Sequence, residues 1–567
     1  MKAMDAPVLG TSETAIRDKL RLNHEKFHGM LDALEQGIES EPVELLLELA
    51  RNAATFAWSA GCGIFSSARL EGLMFRLAER FPPEPVAYQK TDGAGPDRRR
   101  RVTMVITSVY GTGGHSRLAS RWISLDRASR YTVVLTAQES PKLPQDFIDL
   151  EAAGLLDTVV LDLPGRYERI LALRGLLAQC DSAVLLIHPN DMIPNVALAA
   201  MSEPPPVLFQ DHASHMFWVG GAVSNLVLSE TNTMIARRGI PPRHTAWNPL
   251  PLDYARLDMP PTFDARERYA IPRNVPLLVT CGSSFKYNEV DGISLAGLLT
   301  PVLAERSDIH LIVIGVGLDD MPHPPVWAPF MESFGARVRM VGRLDEEGLN
   351  ACFKAADVYL DSTPFSSPTT LFEAAAVGLP VVRFAKREWA ECEVSLDMEA
   401  IPRPHYIWAD EDAYREDILR LLDEPDYRSW RGAFGRDAVR LMHGDATFLN
   451  AIASAFRRAE RTPRMVLDPA CDELVFDTRV TLLDTVLHWL QWQNKWEGDW
   501  KALVVARALV ERGNWEDGAQ RLLKLVAHET AHWEAYYLLS QFALRQGDHA
   551  AARDLHDHAC LLAGRNL

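Results

Sequence analysis

Residues 337–382, RVRMVGRLDEEGLNACFKAADVYLDSTPFSSPTTLFEAAAVGLPVV, alternate short apolar runs with segments long enough to form helices. Such β-branched, nearly uninterrupted runs are typical of parallel strands that are buried on both faces. The same pattern occurs in VTMVIT, YTVVLTA, TVVLDL, SAVLLIH, PPVLFQD and NLVLSE, and again in LLVTCGSS and IHLIVIGVG. A proline-rich stretch at 248–269 separates the two arrays. The sequence therefore predicts an α/β protein with two doubly wound, Rossmann-like domains that face each other across a cleft.

Helical patterns flank these arrays on both sides. We expect four parts: a helical domain and linker at 1–97, a first Rossmann-like domain at 98–255, a second at 256–460, and a helical region at 461–567. In the last part, Gly513-Asn514-Trp515 and Gly547-Asp548-His549 lie 34 residues apart, which is the tetratricopeptide period. The spacing of Trp489, Trp492, Trp496 and Trp500 favours a helix packing stripe over a sugar platform.

Composition excludes several classes of protein. The chain has 567 residues, 47% hydrophobic and 24% charged, with a formal net charge of −17. So acidic a chain is a poor general binder of nucleic acid. Its seven scattered cysteines argue against a disulfide framework or a structural zinc site and, with no signal peptide or membrane span in the sequence, predict a cytoplasmic protein.

Two loops of the second array have the residues of an anion site. Ser283-Ser284-Phe285-Lys286 follows a strand, where hydroxyl groups and a point charge suit a phosphate, although an exposed turn lysine is the alternative. Further along, Pro368 suits the first position of a helix, and Thr369 and Thr370 then offer N–H groups at its positive end. Glu373, one turn later, can accept hydrogen bonds from a ribose diol; the alternative is a plain capped helix.

The first array has polar loops at the corresponding strand ends. Gly113 and Gly114 precede His115, in a glycine spacing that does not match a dinucleotide-binding motif. Asp211, His212 and His215 follow another strand, as substrate-handling groups, as part of a metal site, or as an ordinary helix turn. We expect no metal here, because two histidines without a third ligand are insufficient.

Segment 337–382 is similar to the donor-binding core of the O-GlcNAc transferase and adhesin N-glucosyltransferase family, which has the GT-B fold, and the resemblance extends over about 102–400. It implies that Lys286, Thr369 and Thr370 contact a nucleoside diphosphate, that Glu373 takes the ribose, and that His115 lies near the acceptor. Gly342 and Arg343 belong to the same donor core. In that family the helical repeats precede the catalytic core, whereas here they follow it.

The resemblance implies an enzyme that transfers a hexose or N-acetylhexosamine from a nucleotide sugar, typically a UDP-sugar, to a protein such as an adhesin or flagellin. Many retaining GT-B enzymes have a Glu-x7-Glu motif whose second glutamate binds the ribose; Phe365 stands at the position of the first glutamate, eight residues before Glu373, which favours an inverting, metal-independent displacement with no cofactor. His115 is the first candidate for the base, followed by Asp211 or His212.

Two alternatives remain, namely a transferase of envelope glycans or lipid-linked glycans and a non-catalytic scaffold. The helical regions are also candidates for homo-oligomer contacts.

Overall fold

The computed structural model describes most of the chain. The described residues are 13–83, 99–111, 114–138, 142–212, 216–229, 238–290, 292–316, 326–386, 401, 406–474, 502–503, 505–507, 509–510, 513–527 and 533–563. Gly113, His215, the four tryptophans at 489–500 and most of the predicted linker before residue 98 lie outside them.

Three N-terminal helices pack on the first α/β domain. They are α1 (Glu13–Gly37), α2 (Val43–Phe56) and α3 (Ala68–Ala78). Their apolar faces share one hydrophobic cluster with helices and strands of that domain. The Ser67 hydroxyl caps α3 by accepting from the N–H of Leu70 at 3.0 Å, as an N-cap serine usually does. The N-terminal segment is therefore a covering layer of the first domain.

The first domain is a seven-stranded parallel sheet in the order β3-β2-β1-β4-β5-β6-β7. Its strands are β1 (Arg100–Ile106), β2 (Ser129–Leu135), β3 (Leu156–Val160), β4 (Ser182–Leu186), β5 (Val207–Asp211), β6 (Leu226–Ser229) and β7 (Thr245–Trp247). The helices between them are α4 (Gly114–Leu125), α5 (Gln145–Ala152), α6 (Arg166–Leu177) and α7 (Met192–Ala199). Strands β1, β4, β5 and β6 are buried almost throughout, as their apolar runs predict.

The second domain repeats this order of strands. Its parallel sheet runs β10-β9-β8-β11-β12-β13, formed by β8 (Leu277–Cys281), β9 (His310–Ile314), β10 (Val338–Met340), β11 (Val358–Leu360), β12 (Val381–Phe384) and β13 (Ile407–Trp408). Its helices are α8 (Tyr254–Asp258), α9 (Ala265–Arg268), α10 (Leu295–Glu305), α11 (Trp327–Phe334), α12 (Glu346–Ala355), α13 (Pro368–Ala376), α14 (Glu411–Asp423) and α15 (Pro425–Met442). Two Rossmann-like domains, the arrangement of the GT-B fold, are thus confirmed.

Helix α16 (Asp445–Ala459) returns from the second domain to the first. Phe448 and Phe456 pack edge-on against the buried Trp122 of α4, at ring-centroid distances of 5.6 and 6.4 Å. The chain after α16 continues along the first domain, where Met465 and Leu467 are buried in the cluster that also holds the N-terminal helices. The two domains are therefore joined at two points, by the segment before α8 and by α16. The predicted boundary at 460 stays a prediction.

The C-terminal region is helical, with α17 (Trp515–Ala527), α18 (Trp533–Arg545) and α19 (His549–Ala563). Gly513 and Gly547, which lie 34 residues apart, precede α17 and α19 with positive φ of 81° and 78°. Each is followed by a residue whose side-chain oxygen accepts an N–H of the next helix. The two positions are thus structurally equivalent, as expected of a repeat. Among the described residues no helix has the length and apolar character needed to cross a membrane.

Candidate functional site

The N-terminus of α13 lies at the carboxyl end of the second parallel sheet, because α13 follows β11. Pro368 is its first residue, and Ser367 before it makes no side-chain cap. The N–H groups of Thr369 and Thr370 donate to no atom of the described residues, whereas that of Leu371 already bonds to Ser367 O at 3.0 Å. Two free N–H donors at the positive end of a helix dipole form a site suited to an anion.

Lys286 supplies a positive charge beside this helix end. Its Nζ donates to Ser366 O at 2.7 Å and to Ser367 Oγ at 3.1 Å, and it forms no ion pair with a carboxylate of the described residues. Burial lowers the pKa of Lys286 to about 8, although nearby Asp361 and Cys281 oppose the shift. Two neutral oxygens only partly replace the hydration that the ammonium loses on burial. An anion is therefore the partner that would complete its interactions.

The loop between β11 and α13 is held by Asp361, which the sequence analysis did not single out. Its Oδ1 accepts from the N–H groups of Ser362 and Ser367 at 2.9 Å each, and its Oδ2 from the Ser366 hydroxyl at 2.5 Å. These bonds fix the two oxygen atoms that hold Lys286. The signal in the sequence was a carboxylate directly after an apolar strand.

Glycines bring three backbone segments close together at the same sheet edge. Gly315 has φ +88°, and a Cβ there would lie 2.4 Å from Gly282 O. Gly342, with φ +66°, accepts from Gly315 N–H at 2.7 Å and donates its own N–H to Val316 O at 3.1 Å. The hydroxyl Oγ of Ser284 is buried and finds no hydrogen-bond partner in the part of the chain that the structure describes. Gly342 thus shapes the edge of the site.

The other residues that were predicted to bind the nucleotide sugar differ in how exposed they are. Ser283 is exposed at the start of a one-turn 3-10 helix over Ser284–Tyr287, and Arg343 is exposed with no hydrogen bond or ion pair to the described residues. The Thr370 hydroxyl donates to Ser367 O at 3.0 Å and lies 3.1 Å from Tyr359 OH. The structure therefore brings Lys286, Thr369 and Thr370 together, with Ser283 and Arg343 at the rim.

Glu373 lies one turn into α13 and is buried. Its Oε1 accepts from Arg256 Nη2 at 2.7 Å and lies 3.5 Å from Arg117 Nη1. Its Oε2 is buried and has no hydrogen-bond partner among the described residues. Burial raises the pKa of Glu373, against the opposing effect of the two arginines. One oxygen of this carboxylate is thus free to accept a hydroxyl group.

Of these two arginines, Arg117 connects the two domains. Arg117 is on α4 of the first domain, whereas Glu373 and Glu346 belong to the second. Glu346 lies 3.4 Å from Arg117 Nη1 and 3.1 Å from Arg256 Nε. Two arginines and two glutamates thus form one charge-balanced cluster, and Arg117 follows His115 by two residues. The cluster places the first turn of α4 opposite α13.

His115 lies in that first turn, within a group of three imidazoles. Its ring centroid is 5.7 Å from that of His212 and 5.9 Å from that of His188, which the sequence analysis missed. Tyr110 stacks on His188 at 6.2 Å. Burial lowers the pKa of His115, and it lowers that of His212 to about 3, together with the two neighbouring histidines. These two rings are therefore neutral near pH 7.

A hydrogen bond assigns the tautomer of His115. Its Nε2 lies 2.9 Å from the carbonyl oxygen of Ser108, which can only accept. Nε2 therefore carries the proton, and Nδ1 has the free lone pair. His212 Nδ1 lies 3.3 Å from Gln210 O, which by the same argument leaves its Nε2 as the acceptor. A neutral imidazole with a free nitrogen has the form that a general base needs.

Asp211 lies at the end of β5 and is buried. Its Oδ2 is 3.9 Å from Nε of the equally buried Arg238, so it acts as the counter-ion of that guanidinium. His212 Nδ1 is directed to Gln210 O, and the other histidine of this loop, His215, lies outside the described residues. Gly114, the first residue of α4, is exposed. Among the described residues no three His, Cys, Asp or Glu side chains are grouped to hold a metal ion.

Comparisons with family models and with curated protein sequences give no match. Solved structures do match in fold. An O-GlcNAc transferase of Thermobaculum terrenum is 17% identical over 79% of this chain and 87% of its own, with a TM-score of 0.45. HepE of Anabaena, solved with UDP and glucose, is 12% identical over 63% of this chain and 100% of its own, with a TM-score of 0.47. The UDP-GlcNAc 2-epimerase of Neisseria meningitidis, bound to UDP-GlcNAc, is 13% identical over 64% and 100%, with a TM-score of 0.40.

The first of these structures belongs to the family that the sequence resembles. The three include transferase and epimerase names, so a shared fold does not select between these activities. Similarity at these identities and TM-scores carries no argument for an activity of this chain, which has to rest on the geometry of its own site.

The pKa of Lys286 makes anion binding depend on pH. Well below pH 8 the ammonium is charged and binds at full strength; as the pH rises through about 8 the free protein loses this proton, and affinity falls by up to about tenfold per pH unit. We expect the Kd of UDP, whose phosphate ionises near pH 6, to rise at least about fivefold between pH 7 and 9 in calorimetry. In Lys286→Met the Kd should be higher at pH 7 and constant over this range. A pH-independent Kd in the wild type would contradict the assignment.

Proposed function

We propose that this protein is a glycosyltransferase that moves a hexose or N-acetylhexosamine from a UDP-sugar to a protein acceptor. The observation that carries the proposal is a partly buried Lys286 next to two N–H groups of α13, all three without an anionic partner among the described residues, in a cleft whose opposite side has the neutral imidazole of His115. The donor side and the acceptor side thus come from different domains and have complementary chemistry.

The donor would bind along α13. The diphosphate would take the N–H groups of Thr369 and Thr370 together with the Lys286 ammonium, because all three are donors without an anionic partner. Glu373, one turn further, would accept a ribose hydroxyl at its free Oε2. Ser284 Oγ, also without a partner, would reach the same ligand. Donors for phosphate and an acceptor for the diol therefore follow each other along one helix.

The transfer would be a single displacement. The acceptor nucleophile attacks the anomeric carbon and forms the new glycosidic bond while the bond from that carbon to the phosphate oxygen breaks. The acceptor proton passes to His115 Nδ1, and the diphosphate leaves with the electron pair. Lys286 and the α13 N–H groups stabilise the charge that develops on it, so that the step needs neither a metal ion nor a cofactor. The configuration at the anomeric carbon inverts.

A protein acceptor is supported by the C-terminal helices. The equivalent turns at Gly513 and Gly547 are those of a repeat array, and such arrays commonly form extended binding surfaces. Adhesins and flagellins remain the proposed class of acceptor. Transfer to a lipid-linked glycan instead of a peptide would support the alternative role in envelope assembly, whereas a protein that binds UDP without releasing it from any sugar nucleotide would be a scaffold.

The contact between Glu373 and the ribose can be tested by a thermodynamic cycle that combines one change in the protein with one change in the ligand. We expect the wild type to bind UDP about tenfold more tightly than 2′-deoxy-UDP, because a hydrogen bond to a charged group contributes roughly 1.5–3 kcal/mol. Glu373→Ala should remove this preference, with both ligands measured by calorimetry. Glu347→Ala, a change of an exposed glutamate on α12, is the control and should keep it. An unchanged preference in Glu373→Ala would exclude the ribose contact.

His115→Ala should separate binding from transfer. We expect UDP release from UDP-glucose or UDP-GlcNAc, in the presence of pooled peptides with Ser, Thr and Asn, to fall about 10²-fold or more, since general-base catalysis typically contributes that much. The Kd of UDP should stay within twofold, because His115 is not on the donor side.

His549→Ala, on the exposed start of α19, is the matched control and should have wild-type turnover. Normal turnover in His115→Ala would remove this residue from the role. A 2-epimer of the donor as the product, with no transfer, would contradict the proposed function itself.

A further inference from the structure

The N-terminal helix α3 holds a buried carboxylate against the loop that follows β5. Glu71 is 2% exposed. Its Oε1 accepts from the N–H groups of Gly220 and Gly221 at 3.0 and 3.2 Å, and its Oε2 from that of Ala222 at 2.5 Å. No Lys, Arg or His of the described residues forms an ion pair with it. Three consecutive backbone donors thus converge on one carboxylate of another segment.

The loop held in this way begins with His212, whose ring lies 5.7 Å from that of His115. Its middle is anchored by the same N-terminal segment. Trp218 N–H donates to Phe65 O at 3.3 Å, and the buried Arg238 donates to Met216 O at 2.8 Å while stacking on the Trp218 ring at 4.5 Å. Met216 and Trp218 of this loop are therefore held both by the N-terminal segment and by Arg238 of the first domain.

The position of α3 is itself determined by the chain after α16. Asp472 Oδ2 accepts from Arg69 N–H at 2.9 Å, and Asp472 Oδ1 accepts from the Ser67 hydroxyl that caps the helix. Gly221 lies close to the segment after α16, because a Cβ there would be a tight 3.0 Å from Leu467 Cδ2. Segments before and after the two Rossmann-like domains thus clamp one loop of the first domain.

We propose that Glu71 is a positioning residue for the acceptor side of the cleft, with its carboxylate holding the loop at 216–222 so that His212 stays beside His115. The proposal rests on the proposed function only for its kinetic consequence. A buried carboxylate without a cation is costly, and burial raises the pKa of Glu71 to about 7 despite its three N–H bonds. Folding of the loop does not demand such a group, since serine or asparagine side chains commonly satisfy loop N–H groups. The free-energy cost of burying the Glu71 carboxylate is understandable if this group maintains the geometry of the site.

Glu71→Gln is the test, because the amide has the same shape but only one accepting oxygen and must direct an NH₂ group at an N–H. We expect hydrogen exchange of the amides of residues 220–222 to accelerate about tenfold or more. The rate at which diethyl pyrocarbonate carbethoxylates His212, measured by peptide mass spectrometry, should change severalfold. Transfer to the peptide pool should fall about 10- to 100-fold in kcat/KM with an unchanged Kd of UDP, as for a displaced catalytic group.

Glu44→Gln is the matched control. Glu44, on α2, accepts from the N–H groups of Arg166 and Tyr167 at 2.7 and 3.0 Å, away from the imidazoles. This variant should alter exchange only around those two residues. If Glu71→Gln does not fold, Glu71→Asp, which keeps the charge and shortens the reach, should give an intermediate effect.

The outcomes distinguish the two proposals. Faster exchange at 220–222 with His212 reactivity and transfer both as in the wild type would overturn the positioning role and leave the proposed function intact. Altered His212 reactivity in a protein that shows no transfer even as the wild type would support the positioning role and count against the proposed function.

Discussion

The ammonium of Lys286 is the group on which the donor side depends. It is partly buried and bonded to a carbonyl and a hydroxyl oxygen, while Asp361, the carboxylate that most favours its charged form, is engaged with the serine hydroxyl and N–H groups of the loop. This arrangement leaves a positive charge at the start of a helix whose own first N–H groups are free. Both features favour the same ligand, a diphosphate, and the close contacts at Gly282 and Gly315 keep side chains out of its way.

The acceptor side is connected to the donor side by charge and by the course of the chain. Arg117 joins the first turn of α4, which carries His115, to Glu346 and Glu373 across the cleft. Helix α16 returns to the first domain, and the following residues meet α3, whose Glu71 holds the loop after His212. The flanking helices thus help to position the residues that line the cleft. The anion site is compact and local, so it does not make the surface of this acidic, multidomain chain a binder of polyanions.

Local features of the sequence predict much of this structure. Parallel strands require buried apolar runs, so the long strands and the helix at Pro368–Ala376 could be located, as could Lys286 and Glu373. Strands β7 and β13 were missed because they are short, partly exposed edge strands without a run of β-branched apolar residues. The pairs Arg117–Glu373 and Glu71–Gly220 could not be found, because they join residues far apart in the chain. The ion pair of Asp211 could not be found either, because its counter-ion Arg238 comes from a later segment of the chain.

A crystal structure of the protein with UDP tests the central claim most directly. The account predicts phosphate oxygens within hydrogen-bond distance of Lys286 Nζ and of the N–H groups of Thr369 and Thr370, with a ribose hydroxyl on Glu373 Oε2. UDP bound elsewhere, or in this cleft with its phosphates away from Lys286, would contradict the account.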